Sequence, residues 1–137
     1  MTVGIPCQLH CANVLVRYLV RDDEAQFTKA RALIRRETAA GRRILISLVV
    51  LLETESVLRS RYRLRKDDIL AAISGLLDTS DVELESEPSV EAALHVWKKS
   101  RADFADCLIG VHYCRLGCEA TVTFDTKTSS LAGFVLA

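Results

Sequence analysis

Short apolar runs alternate with longer amphipathic stretches along the whole chain, and this alternation constrains the fold more than any other feature. Ile44 to Ser47, Val82 to Leu84, Ala120 to Phe124 and Phe134 to Leu136 read as strands. Each is a short apolar run bounded by turn or charged residues. Met1 to Leu9 reads as a first strand, interrupted by Pro6, a residue that a central strand carries poorly. Helical periodicity fills the gaps. Val14, Leu15, Tyr18 and Leu19 share one side of Asn13 to Arg21. Asp22 and Asp23 stand where a cap belongs, before a helix carrying Phe27, Ala30 and Ile34 that ends near Ala40 and Gly41. Leu48 to Tyr62 and Lys66 to Leu77 are helical, the latter with an apolar stripe of Ile69, Leu70, Ile73, Leu76 and Leu77. Pro88 opens a helix bearing Val90, Ala93, Val96 and Trp97, and Ala105 to Leu116 forms another, stopped by Gly117. Strands alternating with helices in this way predict an α/β domain with a mostly parallel sheet. No repeat, low-complexity tract or linker divides the chain, so one domain over 1–137 is expected.

Half of the 137 residues are hydrophobic, enough for a core without staples. Basic and acidic residues number 18 each, so the chain lacks the overall positive charge of strong, unspecific nucleic-acid binders. Any contact with RNA must come from local patches or from metal ions. The five cysteines, Cys7, Cys11, Cys107, Cys114 and Cys118, are odd in number and irregular in spacing, which argues against a secreted disulfide scaffold. No signal-peptide pattern opens the sequence, and its longest apolar stretch, around Leu48 to Leu52, is too short to span a bilayer. A soluble, cytoplasmic protein is expected.

Four carboxylates stand out by position. Glu53 lies in the first half of a helix that follows a strand. Asp103 and Asp106 sit three apart at the start of another helix, on neighbouring positions of one face. Asp125 directly follows the strand Ala120 to Phe124. In parallel sheets, ligands collect beyond the carboxyl ends of the strands. Carboxylates gathered there repel each other unless a cation stands among them, and hard oxygen donors suit Mg²⁺ or Mn²⁺. Such ions activate water and stabilise a phosphodiester transition state. Taken singly, each acid has a plainer role: an Asp at a helix start is usually a cap, and a lone Glu is usually solvated.

In combination, these segments resemble the PIN-domain family, and within it the VapC toxins of toxin–antitoxin pairs. The stretch from Asn13 to Asp23 looks like the family's opening helix, and Leu51-Leu-Glu-Thr-Glu-Ser-Val-Leu-Arg59 like its second motif, with Glu53 at the metal-binding glutamate. Asp103-Phe-Ala-Asp-Cys-Leu-Ile109 resembles the third motif, with Asp106 as its regular acid and Asp103 as an accessory one. Thr123-Phe-Asp125 resembles the fourth. The resemblance covers roughly residues 9 to 134. It implies a PIN-like three-layer α/β/α domain and a Mg²⁺- or Mn²⁺-dependent endoribonuclease cleaving single-stranded RNA. It implies Glu53, Asp106 and Asp125 as metal ligands with Asp103 in support, a VapB-type antitoxin and a homodimer. One departure is plain. Where the family has Leu-Asp-Thr, this chain has Leu9-His10-Cys11-Ala12, so Cys11 stands at the first catalytic aspartate. A thiol is a poor ligand for Mg²⁺. Impaired activity is expected, and the alternative is an inactive PIN-fold module that binds antitoxin or RNA.

Cys107, Cys114 and Cys118 lack the paired short spacings of zinc sites and are read as buried, apolar-like residues. His10 and Cys11, being adjacent, make a poor catalytic pair. Arg59, Arg61, Arg63, Arg65 and Lys66 form a basic cluster that suits RNA phosphates or, more simply, a solvated helix end. Trp97 is read as core. Apolar surface on the early helices and on the helix from Leu48 is the expected antitoxin-docking area.

Overall fold

The computed structural model describes residues 7–8 and 12–137. Pro6, His10 and Cys11, and with them most of the expected first strand, lie outside the described residues. The chain divides into two compact units, Met1–Glu85 and Ser86–Ala137.

The first unit runs β1 (Cys7–Gln8), α1 (Ala12–Leu19), α2 (Glu24–Ala39), β2 (Ile44–Ile46), α3 (Leu48–Ser60), α4 (Lys66–Asp78) and β3 (Val82–Leu84). Its sheet has the order β1-β2-β3, with both pairings parallel and Ile44 opposite Cys7 on one side and Val82 on the other. Both ends of β2 and of β3 point into apolar surroundings: Ile44, Ile46, Val82 and Leu84 are buried. Leu15, Ile34, Leu51, Leu58, Ile69 and Ile73 pack with them as a continuous set of fully buried side chains. Burial of each large apolar side chain contributes roughly 1.5–3 kcal/mol. The stripe expected on α4 is present, with Ile69, Ile73 and Leu76 as its buried positions.

Side chains set where the helices start. Asp23 Oδ1 accepts the Gln26 N–H at 3.0 Å, which caps α2. Ser47 Oγ accepts the Val50 N–H at 3.1 Å at the start of α3. The first turn of α3 has no acid of its own. Glu85, at the end of β3, supplies one, its Oε1 accepting the Leu48 N–H at 2.8 Å.

The second unit runs α5 (Glu87–Lys98), α6 (Phe104–Arg115), β4 (Thr121–Thr123), a 3₁₀ turn (Thr128–Ser130) and β5 (Phe134–Leu136). β4 and β5 pair in parallel, Thr121 opposite Phe134. Val90, Ala93 and Trp97 of α5 and Phe104, Cys107 and Leu108 of α6 are buried together, with the Trp97 and Phe104 rings 5.2 Å apart and tilted by 51°. The Phe134 ring lies directly on α6 at Gly110; a Cβ built there would stand 2.2 Å from Phe134 Cε2. Only glycine allows that approach. Throughout, the fold is α/β with parallel strands, as the alternation predicts.

Two readings from sequence need correction. The strand expected over Ala120 to Phe124 spans only Thr121–Thr123, and Phe124 is 88% exposed. The cysteines do not share one fate. Cys107 is buried at 1% exposure, but Cys114 and Cys118 are exposed. The reason is where α6 stops. Gly117, at φ +94°, closes it with the Gly117 N–H on Cys114 O and the Cys118 N–H on Tyr113 O. Cys118 is therefore past the helix, and Cys114 lies on its solvent side.

Candidate functional site

Chemistry gathers at the turn after β4. An Asx side chain closes a local turn by accepting an N–H two residues on. Asp125 does so: its Oδ1 accepts the Lys127 N–H at 2.8 Å. The Asp125 N–H donates to Thr123 Oγ1 at 3.1 Å, and its carbonyl accepts the Ser129 N–H at 2.9 Å. The backbone then tightens into the 3₁₀ turn, and this tucks Thr128 inward until only 2% of it is exposed. Thr128 Oγ1 stands 3.0 Å from Asp106 Oδ2 and 3.1 Å from Asp125 Oδ2. A threonine hydroxyl has one proton to donate. Two carboxylates, one from α6 and one from the turn after β4, thus face a single donor.

The electrostatics follow from these contacts. The Lys127 backbone N–H, then the Thr128 hydroxyl, hold the Asp125 carboxyl below its ordinary value. Burial opposes them, and the Thr128 N–H and the Lys127 charge assist to a smaller degree. Asp125 is an anion at neutral pH. Asp106 is half-buried in the first turn of α6, where the helix dipole favours a negative charge. Asp103 occupies the N-cap position of α6, yet makes no capping hydrogen bond and is exposed. The cap role therefore does not engage its carboxylate.

Glu53 belongs to the first unit. The face of α3 formed by Val50, Leu51, Thr54, Glu55 and Leu58 is buried, and Glu53 is exposed on the other side. Its neighbour Glu55 is 3% exposed and paired with Arg59 at 3.0 Å, a structural arrangement. Within the second unit Asp106 and Asp125 meet at Thr128, a hydrogen bond that Asp103 does not share, and Glu53 lies in the first unit. Within either unit, among the described residues, no three His, Cys, Asp or Glu side chains form a group able to hold a metal ion. The donor chemistry of the aspartate pair nevertheless fits a hard divalent cation. Mg²⁺ keeps several waters and takes only one or two carboxylates from a protein.

The family model described as the PIN domain matches residues 12–133, nearly the whole chain. The chain belongs to the PIN-domain family. PIN domains have a nuclease-type fold and are generally metal-dependent, with Mg²⁺ or Mn²⁺ as the ion. In this PIN domain Glu53, Asp103, Asp106 and Asp125 all fall inside the matched span, and Cys11 falls just before it. No curated protein matches the chain. No helix among the described residues is long and apolar enough to cross a membrane.

Two polar residues of this PIN domain escape a reading of the sequence. Thr128 carries a faint signal, a threonine three residues after an aspartate, as turn motifs have. Glu85 carries none, because its partner Leu48 is 37 positions away and meets it only through the β2–β3 pairing.

Proposed function

We propose that this PIN domain is a VapC-type endoribonuclease that cleaves single-stranded RNA with Mg²⁺ or Mn²⁺. The observation that carries the proposal is the convergence of Asp106 and Asp125 on the Thr128 hydroxyl. Two anions that could separate into water are instead held face to face, an arrangement that favours a cation between or beside them. Asp106 and Asp125 would hold the ion, with Glu53 as a third ligand and Asp103 in support. The ion would supply activated water and charge neutralisation at the phosphodiester. The chain's own residues prepare the site. Lys127 and Thr128 keep Asp125 ionised, the start of α6 favours the charge of Asp106, and the Thr128 hydroxyl fixes the direction of both carboxylates.

Cys11 supports a second reading, an inactive module that still binds antitoxin or RNA, because a thiol stands where the resemblance places the first aspartate. For partners we propose RNA, a VapB-type antitoxin and a second copy of the chain. A groove of about 350 Å³, lined by Val14, Ala30 and Leu33 together with Arg17, Gln26 and Lys29, supports antitoxin docking on the early helices. The deciding assay compares the unmodified protein with Cys11→Asp on one RNA, with Mn²⁺ and with chelator. Removing one well-placed catalytic group costs about a hundredfold or more in rate. The unmodified protein is therefore expected to be weak, and Cys11→Asp to gain chelator-sensitive cleavage. Full activity without Cys11→Asp, and no gain with it, would place the first ligand elsewhere. No cleavage by either protein would favour the binding module.

A further inference from the structure

An acidic site repels the substrate proposed for it. The carboxylates face RNA phosphates with like charge, and the chain's 18 basic and 18 acidic residues give it no net attraction for RNA. A ribonuclease so built needs a local cationic patch. The cluster from Arg59 to Lys66 is one candidate, its first member paired with Glu55. A better one lies on α2 and the turn before it. Arg21, Arg31 and Arg35 line one concavity of about 260 Å³, together with Phe27, Thr28 and Ala32.

The local geometry explains how three cations come to share it. Arg31 and Arg35 are one helical turn apart, a like-charge spacing that costs an isolated helix a few tenths of a kcal/mol. Among the described residues, neither takes part in an ion pair. Arg21 reaches the same concavity from the turn before α2. Its guanidinium lies 4.2 Å from the centre of the Phe27 ring, and Phe27 stacks on Tyr18 at 6.3 Å on an almost parallel plane. The ring therefore holds Arg21 in place. Among the described residues, Glu24 alone pairs with one of the three, at 3.1 Å from Arg21 and well exposed. Guanidinium forks match phosphate oxygens two by two.

We infer that Arg21, Arg31 and Arg35 form a phosphate-binding site that holds the backbone of single-stranded RNA. The inference rests on the ribonuclease reading for its choice of ligand. Its test does not depend on cleavage. A fluorescent single-stranded oligoribonucleotide is titrated in chelator across a salt series, with Arg31→Gln/Arg35→Gln, with the triple variant that adds Arg21→Gln, and with Arg36→Gln as a control on the same helix. Each lost phosphate contact on a single strand lowers the slope of log affinity against log salt by about 0.7. The double variant should lose about 1.4 and the triple about 2.1 of that slope. Arg36→Gln, whose residue does not line the concavity, should leave it unchanged. An unchanged slope in the double and triple variants overturns the inference. So does arginine-dependent binding of polyglutamate in place of RNA, which would assign the concavity to an acidic protein segment. If the slopes fall as stated while Cys11→Asp still fails to cleave RNA, the phosphate site stands and the ribonuclease reading falls. If cleavage appears and the slopes do not move, only the phosphate site falls.

Discussion

Replacing Thr128 with valine removes one hydroxyl and almost nothing else. Valine keeps the branched shape, so the 2% exposed position stays filled and the loss is polar, not a cavity. Loss of an ordinary intramolecular hydrogen bond costs about 0.5–1.5 kcal/mol, the range that applies here because the Asp125 carboxylate is exposed and stays hydrated without it. In a chain of this size about 1 kcal/mol lowers Tm by roughly 3–5 °C. The effect depends on pH, and its sign is fixed by the depressed carboxyl of Asp125. That group's stabilisation is fully present above the ordinary aspartate range and is lost as pH falls through the lowered folded value. Thr128→Val removes the second-largest cause of the depression and leaves the largest, the Lys127 N–H. The gap in Tm between the two proteins should thus be widest near neutrality and close in acid. Thermal melts of both across that range, with NMR titration of the Asp125 carboxyl, make the check. Equal melting at pH 7 and an unmoved Asp125 titration would refute the idea that this hydroxyl organises the pair.

Other outcomes follow from the same contacts. Gly110→Ala drives a methyl into the Phe134 ring and should destabilise the second unit by about 1–3 kcal/mol, read as a lower Tm; an unchanged Tm would mean that the ring yields freely. The Arg42 side-chain hydrogen bond is the main cause that holds Glu37 below its ordinary value, against its burial. Arg42→Gln should therefore cost stability above the usual glutamate range and cost little as pH falls through the folded value of Glu37, a convergence visible in pH-dependent melts.

The parts of this molecule legible from sequence are those fixed by local pattern. Ile44 and Ile46 mark β2, the stripe on α4 shows its buried face, and Asp23 reads as a cap before the fold is known. α6 is harder. Its sequence is apolar on nearly every side, so spacing alone does not say that Cys107 is buried and Cys114 exposed. The candidate carboxylates were legible by position relative to strands and by resemblance, because both depend on order along the chain. What holds Asp106 and Asp125 together was not. Thr128 meets Asp106 across 22 positions, and only the turn closed by Asp125 and Lys127 brings it there. The shared donor is a product of folding, with no local periodicity to announce it.

Binding of Mn²⁺ decides whether Asp106 and Asp125 form a metal site. Electron paramagnetic resonance follows free and bound Mn²⁺ during titration of the unmodified chain, of Cys11→Asp, and of the unmodified chain carrying Asp106→Asn and Asp125→Asn together. Weak binding is expected in the first, tighter binding in the second and loss of most binding in the third. Mn²⁺ bound equally by the Asp106→Asn/Asp125→Asn protein, or not bound by Cys11→Asp, would contradict a metal site at this aspartate pair.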